Sequence, residues 1–124
     1  MNVLRTSKIG EAGEQMACDF LQTQGHQILD RNWHAGHLEL DIVSESSDGI
    51  HFVEVKTRTA PVTSTILDQV NTVKQKRISA AATQYLHKKQ LDGKEVFFDI
   101  VSVMFDGPET VVRYFPHAWI PLYV

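Results

Sequence analysis

Leu38-Glu39-Leu40-Asp41-Ile42-Val43 alternates apolar and acidic residues, and His51-Phe52-Val53-Glu54-Val55-Lys56 follows it across a polar connection ending in Asp48-Gly49. Successive side chains of a strand point to opposite faces. The first segment therefore sets Leu38, Leu40 and Ile42 on one face and Glu39 and Asp41 on the other. The second sets Phe52, Glu54 and Lys56 against His51, Val53 and Val55. Asp-Gly between two such runs is a turn signal, so the pair reads as a hairpin. Asp41 then lies close across from the Glu54 end, and two or three carboxylates meet one ammonium in a single spot.

Like charges set opposite each other destabilise a sheet, so this arrangement needs a reason. A divalent cation supplies one. Magnesium takes oxygen ligands in octahedral geometry and keeps several waters beside one or two carboxylates. Bound there, it polarises a phosphoryl oxygen and acidifies a water. A neighbouring lysine orients that water or stabilises charge building on the phosphate. The plainer reading is a charged, solvated strand face, because acidic-x-Lys patterns are common by chance.

Upstream, Ile9, Ala12, Met16 and Phe20, with Ala17 and Leu21 beside them, recur at helical spacing between Ser7 and Gln24, and Gly25 terminates the helix. A short strand is predicted from Gln27 to Arg31. Downstream, Pro61 to Asn71 reads as irregular chain or, over Thr65 to Val70, as a short helix. Thr72 is placed to cap a longer helix to Lys88, with Ile78, Ala81, Ala82 and Tyr85 facing the core. After the Asp92-Gly93 turn, Val96 to Phe105 is a near-continuous apolar run broken by Asp99 and Ser102, as expected of a central strand. Asp106-Gly107-Pro108 turns into a last strand from Val111 to Phe115. The order predicts an α/β sandwich, a mixed sheet flanked by helices. No repeat or linker interrupts the 124 residues, which fit one domain, 1–124.

Cys18 is the only cysteine, so no internal disulfide forms, which suits a reducing compartment. No apolar run approaches the roughly 20 residues of a membrane helix, and Met1-Asn2-Val3-Leu4-Arg5 is too short and polar for a signal peptide. The expectation is a soluble, cytoplasmic protein with no membrane partner. A net charge of −3 counts against a nucleic-acid binder. A bound cation, however, reverses the local sign of a carboxylate cluster. Lys74, Lys76 and Arg77, with Arg58 just after the acidic site, form the best basic patch. Lys74 and Arg77 are three apart and share a helix side, where they hold a DNA backbone or simply face solvent; Lys76 is read as solvated. The six histidines show no zinc pattern, although His37 is placed to help position a substrate. Cys18, Trp33 and Trp119 read as packing residues. No phosphate-binding glycine loop is present.

In combination and in order, Gly13-Glu14, Glu39-Leu40-Asp41, Phe52-Val53-Glu54-Val55-Lys56-Thr57-Arg58, Lys74-Gln75-x-Arg77 and Phe98-Asp99-Ile100-Val101 resemble the YraN-like family of small bacterial proteins. That family falls within the restriction-endonuclease-like, PD-(D/E)xK, superfamily and is similar in layout to archaeal Holliday-junction resolvases. The resemblance covers Gly10 to Val103; Leu38 and Val73 depart from it, standing where the family has glycine and often proline. It implies a restriction-endonuclease-like three-layer sandwich. It also implies Mg2+ or Mn2+ on Asp41 and Glu54, with Lys56 catalytic, Glu14 reaching the site from the first helix, and Glu39 as an auxiliary carboxylate. Gln75 resembles a polar position near the site of related nucleases and joins Arg58, Lys74 and Arg77 as a candidate nucleic-acid contact. The expected activity is hydrolysis of DNA phosphodiesters, with branched or structured DNA suggested by the likeness to resolvases. One rival is a binding module of the same fold, inactive alone or dependent on a partner. Another is an interaction protein whose charges only decorate its surface. The residues leave the oligomeric state open, a homodimer included.

Overall fold

A computed structural model describes residues 3–61 and 70–120, with side chains from residue 8 onward. The expected short helix over Thr65 to Val70 lies, but for Val70, outside them. The elements are α1 (Val3–Thr23), β1 (Gln27–Ala35), β2 (Leu38–Ser46), β3 (Gly49–Thr59), α2 (Thr72–Lys88), β4 (Val96–Asp106) and β5 (Glu109–Trp119). The strands form one sheet in chain order. All neighbours are antiparallel except β3 and β4, which run parallel. A parallel pair needs a long crossover, and α2 lies in it.

Strand alternation feeds two cores. Phe52, Phe98 and Ile100 pack with Ile78, Ala81, Ala82 and Tyr85 of α2. The intervening residues, Val53, Val101 and Val103, pack with Ala17, Cys18 and Leu21 of α1. One helix thus covers each face, giving the three-layer α/β sandwich with a mixed sheet. Among the described residues no helix is long and apolar enough to cross a membrane.

Gly13 sets how closely α1 approaches β3. A Cβ there would overlap Thr57 Oγ1 and stand 2.7 Å from its Cγ2. Gly13→Ala should destabilise the fold by about 1–3 kcal/mol through this overpacking, despite alanine's better helix propensity. Urea denaturation should show a lower midpoint at unchanged slope. Thr57→Ala in the same chain should recover part of the loss; equal stability of Gly13→Ala and wild type would show that the approach is not tight.

The reading of β2 as a simple alternation is corrected by the structure. Leu40 lies in the α2-side core, whereas Ile42 lies in the α1-side core. Their partners on β1 change face with them: Trp33 pairs with Leu40 and Arg31 with Ile42. Between the two sits Asn32, at a left-handed φ of 50°. Arg31 and Asn32 reach Glu14 of α1, while the Trp33 ring meets Tyr85 of α2 edge-on. Asp41 sits at this crossover. The cap of α2 is also corrected by one residue. Asn71, rather than Thr72, is the N-cap, and its side chain accepts from Lys74 N at 3.1 Å.

Near the β2–β3 turn a buried polar cluster ties three strands. His51 Nδ1 donates to Asp99 Oδ2 at 2.6 Å, and Nε2 donates to Asp48 Oδ1 at 2.7 Å. Tyr114 OH donates to the same Asp99 oxygen at 2.5 Å, and His117 N donates to its Oδ1 at 2.9 Å. Carboxylates on both ring nitrogens require both to carry protons, so His51 is an imidazolium. Burial alone would lower its pKa, but the two carboxylates outweigh burial and raise it.

Candidate functional site

The backbone ladder between β2 and β3 runs from Ser46 paired with Gly49 to Ile42 paired with Val53, and ends there. Beyond that pair a side chain, that of Asp41, continues the link to β3. Its Oδ2 accepts the Val55 N–H at 2.9 Å. The splayed strands and the first two turns of α2 enclose a cleft of about 780 Å³. Asp41, Glu54 and Lys56 line it, as do Glu39, His37, Asn71, Lys74 and Arg77.

Glu54 is buried at the base of the cleft. Lys74 Nζ stands 2.8 Å from its Oε1, and Lys56 Nζ stands 3.5 Å from the same oxygen. Burial and then the Glu54 charge push Asp41 up to about 7, with a smaller push from Glu14. Burial and the neighbouring Lys74 ammonium lower Lys56. Burial would lower Lys74 as well, but the Glu54 carboxylate outweighs it and raises the group. Two carboxylates and two ammoniums therefore share one recess, each setting the charge of the others.

The remaining candidates lie at the rim or outside. Glu39 is exposed and pairs with His34 at 3.8 Å. Glu14 is 2.7 Å from Asn32 Nδ2 and 3.6 Å from Arg31 Nε; it bears on Asp41 by charge and does not line the cleft. Gln75 donates to the Val70 carbonyl at 3.0 Å and stands outside the lining. Arg58 lies on β3, two residues beyond Lys56 and also outside the lining. Residues to which the sequence reading gave no structural role complete the picture. Asn71 holds the start of α2 against the cleft, and its place one residue before the helical run was the available signal. His51 and Asp99 brace the opposite end of β3 and β4, signalled only by an acid inside an apolar run.

Among the described residues no group of three or more His, Cys, Asp or Glu is set to hold an ion unaided. Two carboxylates and several waters suffice for magnesium. An ionised carboxylate offers about four lone-pair sites, of which the Val55 N–H uses one on Asp41. The donor set of Asp41 and Glu54 therefore fits a hard, hydrated dication, and binding it would relieve their mutual repulsion.

The profile of an uncharacterised protein family, UPF0102, matches residues 13–103. A UPF0102 protein of Myxococcus xanthus is 38% identical over 110 residues, covering 89% of this chain and 87% of that protein. One of Dictyoglomus turgidum is 35% identical over 118 residues, covering 94% and 100%. One of Syntrophotalea carbinolica is 39% identical over 111 residues, covering 90% of each. The matched span contains every residue lining the cleft and the motifs that resemble the YraN-like family, and on these matches the chain belongs to uncharacterised protein family UPF0102.

Proposed function

We propose that the protein is a metal-dependent endonuclease that hydrolyses DNA phosphodiesters, with branched or otherwise structured DNA as its substrate class. The observation that carries this reading is the cleft itself: Asp41 and Glu54, from strands that splay apart, share one recess with Lys56 and Lys74. Asp41 and Glu54 would hold Mg2+ or Mn2+, which when bound polarises a phosphoryl oxygen and acidifies a water. Lys56, on the cleft wall, orients that water or stabilises charge on the phosphate. The start of α2 contributes the positive end of its dipole together with Lys74 and Arg77, an arrangement that holds phosphate. Glu39 and His37 stand at the rim, Arg58 and Gln75 extend the contact outside the cleft, and Glu14 acts through Asp41. The reading sets the protein in the cytoplasm, where the buried Cys18 stays a thiol.

The test is a cleavage assay on duplex, single-stranded, flap and four-way-junction DNA, with and without manganese. Metal-dependent cutting of any of them supports the reading, and a preference for the junction supports the substrate class. Binding without cutting under every condition would replace the enzyme with a binding module of the same fold.

Neutralising Lys74 and Arg77 together should weaken DNA binding alike for all sequences, because phosphate contacts carry no base information. With two fewer phosphates neutralised by the protein, the slope of log K against log salt should flatten by about two. Fluorescence anisotropy at several salt concentrations, with manganese present and an uncleavable duplex, measures both; an unchanged slope would remove these residues from the interface.

A further inference from the structure

We infer that Lys74 is the internal occupant of the cation site, an ammonium that neutralises Glu54 until a metal ion arrives and is then released to the DNA backbone. Metal and DNA would thereby bind cooperatively through one side chain. The inference rests on the metal-site reading above.

Lys74 and Lys56 converge on one oxygen, Glu54 Oε1, at 2.8 and 3.5 Å. They differ in freedom. The Lys56 side chain is 14% exposed and the Lys74 side chain 40% exposed. Lys56 is held on β3 beside Glu54, whereas Lys74 reaches in from the first turn of α2 on a flexible four-carbon stem. Its backbone stays fixed, because Asn71 holds its N–H. Lys74 can therefore leave the carboxylate by rotating its side chain, without disturbing the helix.

A dication accepted by Glu54 competes for the oxygen that Lys74 holds and repels the ammonium from it. Arg77, one turn along α2, lines the same cleft. A released Lys74 ammonium joins it on the wall that faces a bound phosphate backbone. With the metal absent, holding DNA with Lys74 would leave Glu54 buried with less compensation. Each ligand thus removes an obstacle to the other, and the coupling is the same from either side by thermodynamic reciprocity. A general loss of positive charge would act differently, shifting metal affinity alike for any cation removed from the cleft. Arg77 is the control for that.

Calorimetric titration of manganese into wild type, Lys74→Gln and Arg77→Gln tests this, each with and without a short duplex carrying uncleavable phosphorothioate linkages. Without DNA, Lys74→Gln should bind manganese about 5- to 10-fold more tightly than wild type, within the usual range of coupling between sites. It should bind the duplex more weakly, and the gain in metal affinity that DNA confers on wild type should largely vanish. Arg77→Gln should weaken duplex binding while keeping both the metal affinity and the gain. Unchanged or weaker manganese binding by Lys74→Gln overturns the inference, as does an equal shift in both variants. Wild type that binds no manganese, or binds it equally well after Glu54→Gln, would remove the metal site itself, and the role of Lys74 with it.

Discussion

Lys56→Ala should cleave DNA about 10²–10³-fold more slowly than wild type while still binding manganese, whereas Asp41→Asn and Glu54→Gln should lose the metal. The difference follows from position. On the proposed reading Asp41 and Glu54 would supply the oxygen donors, whereas Lys56 stands 3.5 Å from Glu54 as a cation on the cleft wall. Removing the lysine removes charge stabilisation without removing a ligand. Calorimetry beside single-turnover cleavage separates the two kinds of failure. Equal cleavage by all three variants and wild type would place the chemistry elsewhere.

Asp41→Asn should also stabilise the metal-free protein at neutral pH. Burial and the Glu54 charge raise Asp41 from 3.8 to about 7, so between these values the folded state binds a proton that the unfolded chain has released. Stability therefore falls as pH rises through that window. The amide of the variant would keep an acceptor for the Val55 N–H and carry no charge. The difference in melting temperature between variant and wild type should grow from about pH 4 to about pH 7, and manganese should shrink it by stabilising only the wild type.

Asp99→Ala should lower stability by about 3–5 kcal/mol, as breaking a buried charge pair does. Asp99 is fully buried. Its loss strands the His51 imidazolium, the Tyr114 hydroxyl and the His117 N–H together. For a domain whose total stability is typically about 5–15 kcal/mol, such a change approaches unfolding. Burial would raise Asp99, but the bonds from His51, Tyr114 and His117 outweigh it and lower the group. Its contribution is therefore present above the ordinary carboxylate value and lost as the solution is acidified. The raised His51 contributes at low pH and loses its contribution as pH climbs through its folded value. Urea melts across pH should show that Asp99→Ala loses the acid limb of this dependence; a variant as stable as wild type would mean that the cluster is replaceable.

The cleft was largely legible because its two strands carry period-two patterns with charges two residues apart, and the Asp48-Gly49 signal located the connection, although the turn itself is Ser47-Asp48 with Gly49 already paired to Ser46. The exchange of faces at Asp41 was not. It depends on Asn32 in the neighbouring strand adopting a left-handed conformation, and nothing in Leu38 to Val43 records that. Alternation alone would put Leu40 and Ile42 in one core, yet they lie in two. The His51–Asp99 pair joins residues 48 apart, beyond the reach of any local pattern, and only the isolation of an acid within Val96 to Phe105 hinted at it. Asn71 and Thr72 are both good caps, and sequence could not choose between neighbours.

The most direct test of the account is the anomalous scattering of crystals grown with manganese. It predicts a peak in the cleft within about 2.0–2.3 Å of carboxylate oxygens of both Asp41 and Glu54, near the hard-cation range, with Lys74 turned away from Glu54. A peak held by His51, Asp48 or His117 instead, or a cleft that stays metal-free at saturating manganese with Lys74 still on Glu54, would contradict it.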